Sequence, residues 1–241
     1  MRNFLIVAEV RSGYQLMATL LNSNSEVTCL GEIFGSDRDI RIKSLFQFPV
    51  PVIEETDHAI NYVEKISDTA RKRGCKAFGF KVNYVCARSS NWSELWNYAV
   101  VKKWNIIHLH RENLLDRLIS EKLANSSNNW NYNEYQNQIT VSMSELESSY
   151  AISVSSQLWA NNFFRKNPVC NMTYEELELN REKSCDILQD FLGITRKPLK
   201  TFMKKQRIRN QSKFVSNYKD LYCICSQHPV FSKWLDGITY L

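Results

Sequence analysis

Short apolar runs alternate along the chain with longer stretches in which apolar residues recur at helical spacing. Five runs predict buried strands, at 4–10, 27–34, 76–82, 105–110 and 168–174. Short apolar runs are typical of parallel strands covered on both faces. Helical patterns follow at 14–23, 57–74, 91–103, 112–124, 144–166 and 174–193. This alternation predicts an α/β fold, an open parallel β-sheet of about five strands flanked by helices.

The composition fits one large domain over residues 1–241, because 44% of the residues are hydrophobic and glycine and proline number only 7 and 5. No apolar span is long enough for a transmembrane helix. The N-terminal apolar run reaches Glu9 and Arg11 before any small-residue cleavage site, so it predicts a strand instead of a signal peptide. The 7 cysteines are irregularly spaced. We therefore expect reduced thiols and a cytoplasmic protein with no membrane span.

The net charge of +6 is concentrated near the C-terminus. Between Phe191 and Lys219 there is no acidic residue and there are nine basic ones: Arg196, Lys197, Lys200, Lys204, Lys205, Arg207, Arg209, Lys213 and Lys219. Such a segment favours an anionic partner, although a solvated basic surface is the alternative from charge alone.

Polar residues follow several of the predicted strands, where ligands of parallel sheets bind. Arg11-Ser12-Gly13 comes after the first strand, and the N–H groups of the helix that follows favour an anion. Glu32 comes after the second strand, at the same expected edge, where a carboxylate can serve as a base or simply lie in a surface ion pair. The phosphate-loop pattern GxxxxGK[ST] and the dinucleotide pattern GxGxxG are both absent, which argues against an ordinary P-loop NTPase or a Rossmann dehydrogenase.

The fourth strand is followed by Arg111, and Ser120 lies nine residues further on, within a predicted helix. An arginine and a helix hydroxyl can clamp a phosphate. Pairing of Arg111 with Glu112 or Asp116 on the helix surface is the alternative.

Five short motifs occur in order along the predicted strands: RSG, GE, GFK, R-x-N-L-L-x-R-x-x-S and TYEEL. In this order and spacing, the chain resembles the sulfotransferases that use 3′-phosphoadenosine-5′-phosphosulfate (PAPS), and among them the bacterial, carbohydrate-sulfating branch. The resemblance covers residues 4–222. It implies a P-loop-like sulfotransferase fold and transfer of a sulfuryl group from PAPS, the donor substrate, to an acceptor hydroxyl of a carbohydrate or glycolipid, without a metal.

The resemblance also implies which residues bind the donor. The loop around its 5′-phosphosulfate corresponds to Arg11, Ser12, Gly13, Tyr14, Gln15 and Leu16. Arg111 and Ser120 correspond to the 3′-phosphate clamp, and Tyr174 to a position beside the adenine. The C-terminal stretch that closes over the nucleotide is represented by Lys204, Lys205, Arg207 and Arg209.

The resemblance further implies in-line transfer with a base that removes the acceptor proton. In cytosolic relatives this base is a histidine two residues after a lysine on the third strand, where this chain has Asn83. In the carbohydrate branch it is a glutamate, matching Glu32. Glu32 is therefore the expected base, and Lys81 is expected near the sulfuryl group or at a strand end. The chain departs from the family at Tyr14 and Gln15, which replace small hydroxyl residues.

Two other function classes remain open at this stage. A small-molecule or nucleotide kinase would need a lysine in the loop and residues that hold Mg²⁺. A non-catalytic module that binds nucleic acid through residues 191–219 would be expected to carry a recognisable motif, and none is present. A small-molecule or glycan acceptor is the expected partner, and the Asn- and aromatic-rich segment 125–138 is where we expect its contacts.

Overall fold

A computed structural model describes residues 1–34, 58–88, 92–128, 135–203 and 210–235. The described chain forms two compact units, each with its own core. The first unit comprises Met1–His110 and Trp159–Phe202, and the second comprises Arg111–Leu158 and Met203–Leu241.

The first unit is built on a five-stranded sheet. Its strands are β1 (Arg2–Ala8), β2 (Val27–Leu30), β3 (Ala77–Asn83), β4 (Asn105–His110) and β5 (Val169–Thr173), in the spatial order β2-β3-β1-β4-β5. All four pairings between neighbouring strands are parallel. The predicted α/β architecture, an open parallel sheet of about five strands, is confirmed.

Helices connect the strands. Those of the first unit are α1 (Tyr14–Asn22), α2 (Ala59–Lys72), α3 (Tyr84–Arg88), α4 (Ser93–Val101), α7 (Tyr174–Leu179) and α8 (Arg181–Leu192). The second unit contains α5 (Leu114–Ser127), α9 (Gln211–Phe214), α10 (Tyr218–Cys225) and a 3₁₀ turn at Ser232–Trp234. A long helix, α6 (Met143–Phe163), contributes residues to both units.

Alternation of side chains along β1 creates two separate cores, one on each face of the sheet. Leu5 and Val7 lie in a cluster with residues of α2 and α4, while Phe4, Ile6 and Ala8 lie in a cluster with residues of α1 and α8. Every one of these five side chains is fully buried. Because both faces are covered here, the segment from Phe4 to Ala8 contains no polar residue.

Some predicted boundaries are wrong. The second strand ends at Leu30, so Glu32 lies in the turn after it, and β1 ends at Ala8. The single helix predicted at 174–193 is two helices that meet at Asn180, whose backbone (φ −118°, ψ 46°) is not helical. Asparagine competes with the helical backbone for hydrogen bonds and favours helix ends over interiors, which accounts for the break. The short helix α3 has no counterpart in the prediction.

The second unit has a core formed by α5, the N-terminal part of α6 and the C-terminal segment. Leu115, Leu118 and Ile119 of α5 belong to the same buried cluster as Leu221 and Trp234. An isolated parallel bridge joins Ile139 to Val215. Among the described helices, none is both long and apolar enough to cross a membrane.

Candidate functional site

The loop between β1 and α1, residues 9–13, has an unusual backbone. Arg11 (φ 62°) and Gly13 (φ 84°) both adopt the left-handed conformation, and Ser12 between them has a negative φ. Alternation of this kind turns successive N–H groups toward one side and makes an anion-binding concavity. A left-handed conformation costs a bulky residue on the order of 1–3 kcal/mol, and strain of this kind clusters at ligand sites. Gly13 is also the N-cap of α1, whose first N–H groups have no acceptor within the helix.

Glycine is required at position 13 for a second reason, because the ring of Tyr174 lies directly against it. A Cβ atom placed on Gly13 would be 2.3 Å from Cδ2 of Tyr174. Tyr174 begins α7, and a capping box fixes this start: Thr173 Oγ1 accepts from the N–H of Glu176 (3.0 Å), and Glu176 Oε2 accepts from the N–H of Thr173 (2.8 Å). The structure therefore brings the predicted adenine residue to the predicted phosphate loop.

Ser12 is completely buried in this loop. Its hydroxyl has no hydrogen-bond partner among the described residues. A buried hydroxyl without a partner is costly, so such groups are rare in proteins unless a ligand supplies the missing bond.

Glu32 lies after β2, beside the carboxyl end of the neighbouring strand β3. Its Oε1 forms an ion pair with Nζ of Lys81, and its Oε2 accepts a hydrogen bond from Nδ2 of Asn83 (3.0 Å). Oδ1 of Asn83 in turn accepts from the N–H of Cys86 at 2.8 Å. Lys81 is buried, whereas the side chain of Glu32 is 33% exposed. Each carboxylate oxygen can accept more than one hydrogen bond, so Glu32 is both held in place and open to a further donor.

Tyr14, the first residue of α1, joins the loop to this pair. Its hydroxyl donates to the carbonyl oxygen of Leu30 (2.7 Å), and Nζ of Lys81 lies 5.1 Å from the centroid of its ring. Burial, followed by the nearby Cys29 and the negative charge of Glu32, raises the pKa of Tyr14 well above its usual value. Tyr14 is therefore a neutral hydrogen-bond donor at any ordinary pH.

Gln15 and Leu16 occupy the first turn of α1 and are half-buried, and Leu16 packs against the core on that face of the sheet.

Arg111 and Ser120 belong to the second unit. Both are buried, Arg111 directly after β4 and Ser120 within α5. Nη2 of Arg111 pairs with Oδ2 of Asp116 at 3.3 Å, which is one of the pairings expected from the sequence as an alternative. Oδ1 of the same aspartate accepts from Nε2 of Gln211 at 2.7 Å. Their predicted role with the 3′-phosphate stays a prediction.

Several predicted residues lie outside the described residues: Lys204, Lys205, Arg207 and Arg209 of the C-terminal basic stretch, and 129–134 of the predicted acceptor segment. Of the remaining basic residues, Arg196 pairs with Asp190 and Asp186. The segment from Phe191 to Lys219 contains no acidic residue, but two aspartates of the preceding helix α8 neutralise the charge of Arg196.

Sequence reasoning missed two contacts at the sheet edge. Asn83, at the position where the sequence resemblance would place the histidine of cytosolic sulfotransferases, donates a hydrogen bond to Glu32. Tyr14, expected in the phosphosulfate loop and as a departure from the family pattern, contacts Lys81. A carboxylate, a lysine and an amide on neighbouring strand ends are visible in the sequence, but nothing there indicates which of them touch.

Comparison of the sequence with family models and with curated proteins finds no match. The structure is similar to that of a sulfotransferase from Alicyclobacillus acidocaldarius, at 15% sequence identity and a TM-score of 0.51, over 93% of this chain and 91% of that chain. The chain therefore has the α/β fold of a known sulfotransferase, and the fold expected from the sequence resemblance is confirmed.

Two further solved structures are similar at lower TM-scores. One is the mouse sulfotransferase SULT7A1 complexed with PAP, at 15% identity and a TM-score of 0.42, covering 81% of this chain and 59% of that chain. The other is the sulfotransferase domain of the Synechococcus PCC 7002 olefin synthase, at 13% identity and a TM-score of 0.47, covering 100% of this chain and 89% of that chain. The fold assignment rests on the Alicyclobacillus protein.

Proposed function

We propose that the protein is a sulfotransferase that moves a sulfuryl group from PAPS to the hydroxyl of an acceptor, a carbohydrate or a glycolipid. The observation that carries this proposal is that the Glu32–Lys81 ion pair lies next to the β1–α1 loop. Tyr14, which directly follows this loop, contacts Lys81. A base beside an anion-binding turn is the arrangement that transfer from a phosphosulfate to a hydroxyl requires.

The β1–α1 loop would hold the 5′-phosphosulfate. Its alternating backbone and the N–H groups at the start of α1 favour an anion, and Arg11 adds a fixed positive charge. The hydroxyl of Ser12 would gain the hydrogen bond that it lacks within the described protein. The ring of Tyr174, which lies on Gly13, would form one wall beside the nucleotide.

Glu32 would act as the base. Its carboxylate takes the proton of the acceptor hydroxyl while the hydroxyl oxygen attacks sulfur, and the bond from sulfur to the phosphate oxygen breaks. The electron pair of that bond stays on the phosphate. Asn83 and Lys81 hold one oxygen of Glu32 each, which orients the carboxylate.

Negative charge that develops on the departing phosphate would be stabilised by Lys81 and by the N–H groups of the loop. These groups are in place before the reaction and need no reorganisation, which is the condition under which electrostatic stabilisation is most effective.

The acceptor class rests on the choice of base. A glutamate after the second strand is the feature that the carbohydrate-sulfating branch shares with this chain, and Asn83 supports that glutamate instead of serving as a base itself. Roles for Arg111 and Ser120 at the 3′-phosphate, and for Lys204, Lys205 and Arg207 over the nucleotide, are part of the same proposal.

A substitution of Glu32 tests the proposed base. Glu32→Gln keeps the size of the side chain and removes its basicity, so we expect kcat for transfer of labelled sulfate from PAPS to fall by about 10²-fold or more. Affinity for 3′-phosphoadenosine-5′-phosphate (PAP), the adenosine bisphosphate product, should stay within about threefold of wild type, since the loop is untouched.

Glu26→Gln is the matched control. Glu26 pairs with Lys76 at 2.8 Å, and these residues precede β2 and β3 at the opposite ends of the strands. This variant loses the same charge next to the same two strands and should transfer sulfate normally. Transfer by Glu32→Gln at the wild-type rate would exclude Glu32 as the base.

A further inference from the structure

Tyr14 is one of the two residues at which the loop departs from the sulfotransferase pattern, and its side chain has two separate contacts. The hydroxyl is tied to the backbone of β2 through the carbonyl of Leu30. The ring lies under the ammonium group of Lys81, with 5.1 Å between Nζ and the ring centroid. An ammonium within about 6 Å of an aromatic centroid is attracted by the negative face of the ring.

Lys81 needs such a partner because its side chain is long and flexible. A lysine ammonium is a point charge on a stem of four carbons, and nothing in the stem fixes its direction. In this structure Lys81 is buried, with Glu32 Oε1 on its ammonium group and the ring of Tyr14 beside it. The ring is anchored at both ends, by the start of α1 and by the hydrogen bond to Leu30.

We propose that Tyr14 is a positioning residue that acts through Lys81 on the Glu32 carboxylate. The ring confines the ammonium group of Lys81 to the side of Glu32, and Lys81 with Asn83 then fixes the two carboxylate oxygens. Tyr14 thus stands where the family pattern has a small hydroxyl residue, and it serves a different purpose there. The contact stands independently, while its effect on catalysis rests on the proposed sulfuryl transfer.

A purely space-filling role makes a different prediction. A tyrosine that only fills volume can be exchanged for any apolar side chain of similar size without changing Lys81. A positioning ring must keep its electron-rich face. Three substitutions separate these roles: Tyr14→Phe keeps the ring and removes the hydroxyl, Tyr14→Leu removes the ring, and pentafluorophenylalanine at position 14 keeps the ring shape but reverses the charge on its face.

The first experiment measures the rate at which an amine-specific acylating reagent modifies Lys81, by mass spectrometry of the ligand-free protein. We expect Tyr14→Leu and the fluorinated variant to be modified at Lys81 several-fold faster than wild type, and Tyr14→Phe to stay close to wild type. Tyr98→Leu is the matched control, because Nζ of Lys102 lies 5.4 Å from the centroid of the Tyr98 ring in the same kind of contact. This variant should leave the modification rate of Lys81 unchanged. Equal rates in all Tyr14 variants would overturn the proposal.

The second experiment measures kcat and the KM for PAPS. We expect Tyr14→Leu to lower kcat about tenfold with little change in KM, and Tyr14→Phe to recover most of the lost rate. A rise in KM with unchanged kcat would assign Tyr14 to donor binding and overturn the positioning role. If wild type transfers no sulfate to any acceptor, the proposed function fails. In that case the acylation rates alone test whether Tyr14 positions Lys81. If Tyr14→Leu does not fold, the fluorinated variant, which keeps the ring, provides the same test.

Discussion

At the scale of single residues, the β1–α1 loop places a polar group where the protein itself gives it no partner. Ser12 is fully buried, and within the described chain its hydroxyl makes no hydrogen bond. Removing that hydroxyl therefore breaks no hydrogen bond to any of the described residues. A buried serine is usually hydrogen-bonded, so its removal lowers the stability of the protein. At Ser12, by contrast, the effect of a substitution on ligand binding can be measured apart from an effect on stability.

We expect Ser12→Ala to keep or slightly raise the melting temperature and to weaken binding of PAP by about 10-fold or more, since a hydrogen bond to a charged group contributes about 1.5–3 kcal/mol. Titration calorimetry with a parallel thermal melt checks both parts. A large fall in melting temperature together with unchanged affinity would show that the hydroxyl serves the fold instead of a ligand.

Gly13 and Gly74 have almost the same φ angle and very different surroundings. Both are left-handed, at φ 84° and 82°, but a Cβ on Gly13 would strike the Tyr174 ring, whereas a Cβ on Gly74 would meet no atom within 4 Å. The backbone cost of alanine, on the order of 1–3 kcal/mol, is common to both positions. The difference between the two variants therefore isolates the contact with Tyr174.

Gly13→Ala should be clearly more destabilising than Gly74→Ala in urea unfolding, and it alone should weaken binding of PAP. Tyr174→Ala introduced together with Gly13→Ala removes the steric conflict and should bring the free energy of unfolding close to that of Gly74→Ala combined with Tyr174→Ala. Equal losses for the two single variants would mean that the loop can move away from the ring without cost.

At the scale of elements, a buried histidine links two neighbouring strands of the sheet and a helix. On β4, Nδ1 of His108 donates to Oδ1 of Asn171 on β5 (3.2 Å), and Nε2 accepts from the hydroxyl of Tyr84 at the start of α3. Burial, and then the proximity of His110, lowers the pKa of His108 to about 4. His108 is therefore neutral at neutral pH, and both ring nitrogens are satisfied.

The lowered pKa makes stability depend on pH. Between about pH 6.5 and 4 the unfolded chain binds a proton at His108 and the folded protein does not, so the stabilisation is complete above about 6.5 and is lost as the pH falls toward 4. The free energy of unfolding of wild type should fall by up to roughly 3 kcal/mol more than that of His108→Gln over this range. Urea unfolding at both pH values measures this, with His58→Gln at the exposed N-cap of α2 as control. Identical pH dependence in wild type and His108→Gln would rule out this origin.

The elements themselves were largely predictable because each depends on a short stretch of sequence. The five strands are short, mainly apolar runs, and all five lie where the pattern indicates. The helix break at Asn180 was missed because the apolar spacing continues across it, while the backbone hydrogen bonds do not.

At the scale of the whole molecule, the order of motifs along the chain indicates which strand ends carry chemistry, but not which side chains meet. Glu32 and Lys81 pair because β2 and β3 are neighbours in the sheet, and Tyr174 reaches Gly13 across a long separation in sequence. Such contacts depend on strand order and helix placement, which periodicity does not specify. Assignment of the chain to one domain and to the cytoplasm also stays a prediction.

The central claim of the proposed function is that the protein binds PAPS, and its product PAP, at the β1–α1 loop and transfers the sulfuryl group of PAPS to an acceptor. A thermal melt of the full chain with PAP, with ATP-Mg²⁺ and with duplex DNA tests it most directly, because a ligand that binds only the folded protein raises the melting temperature. We predict a rise that saturates with PAP and no comparable rise with the other two. No shift with PAP and a clear shift with ATP-Mg²⁺ would contradict the account.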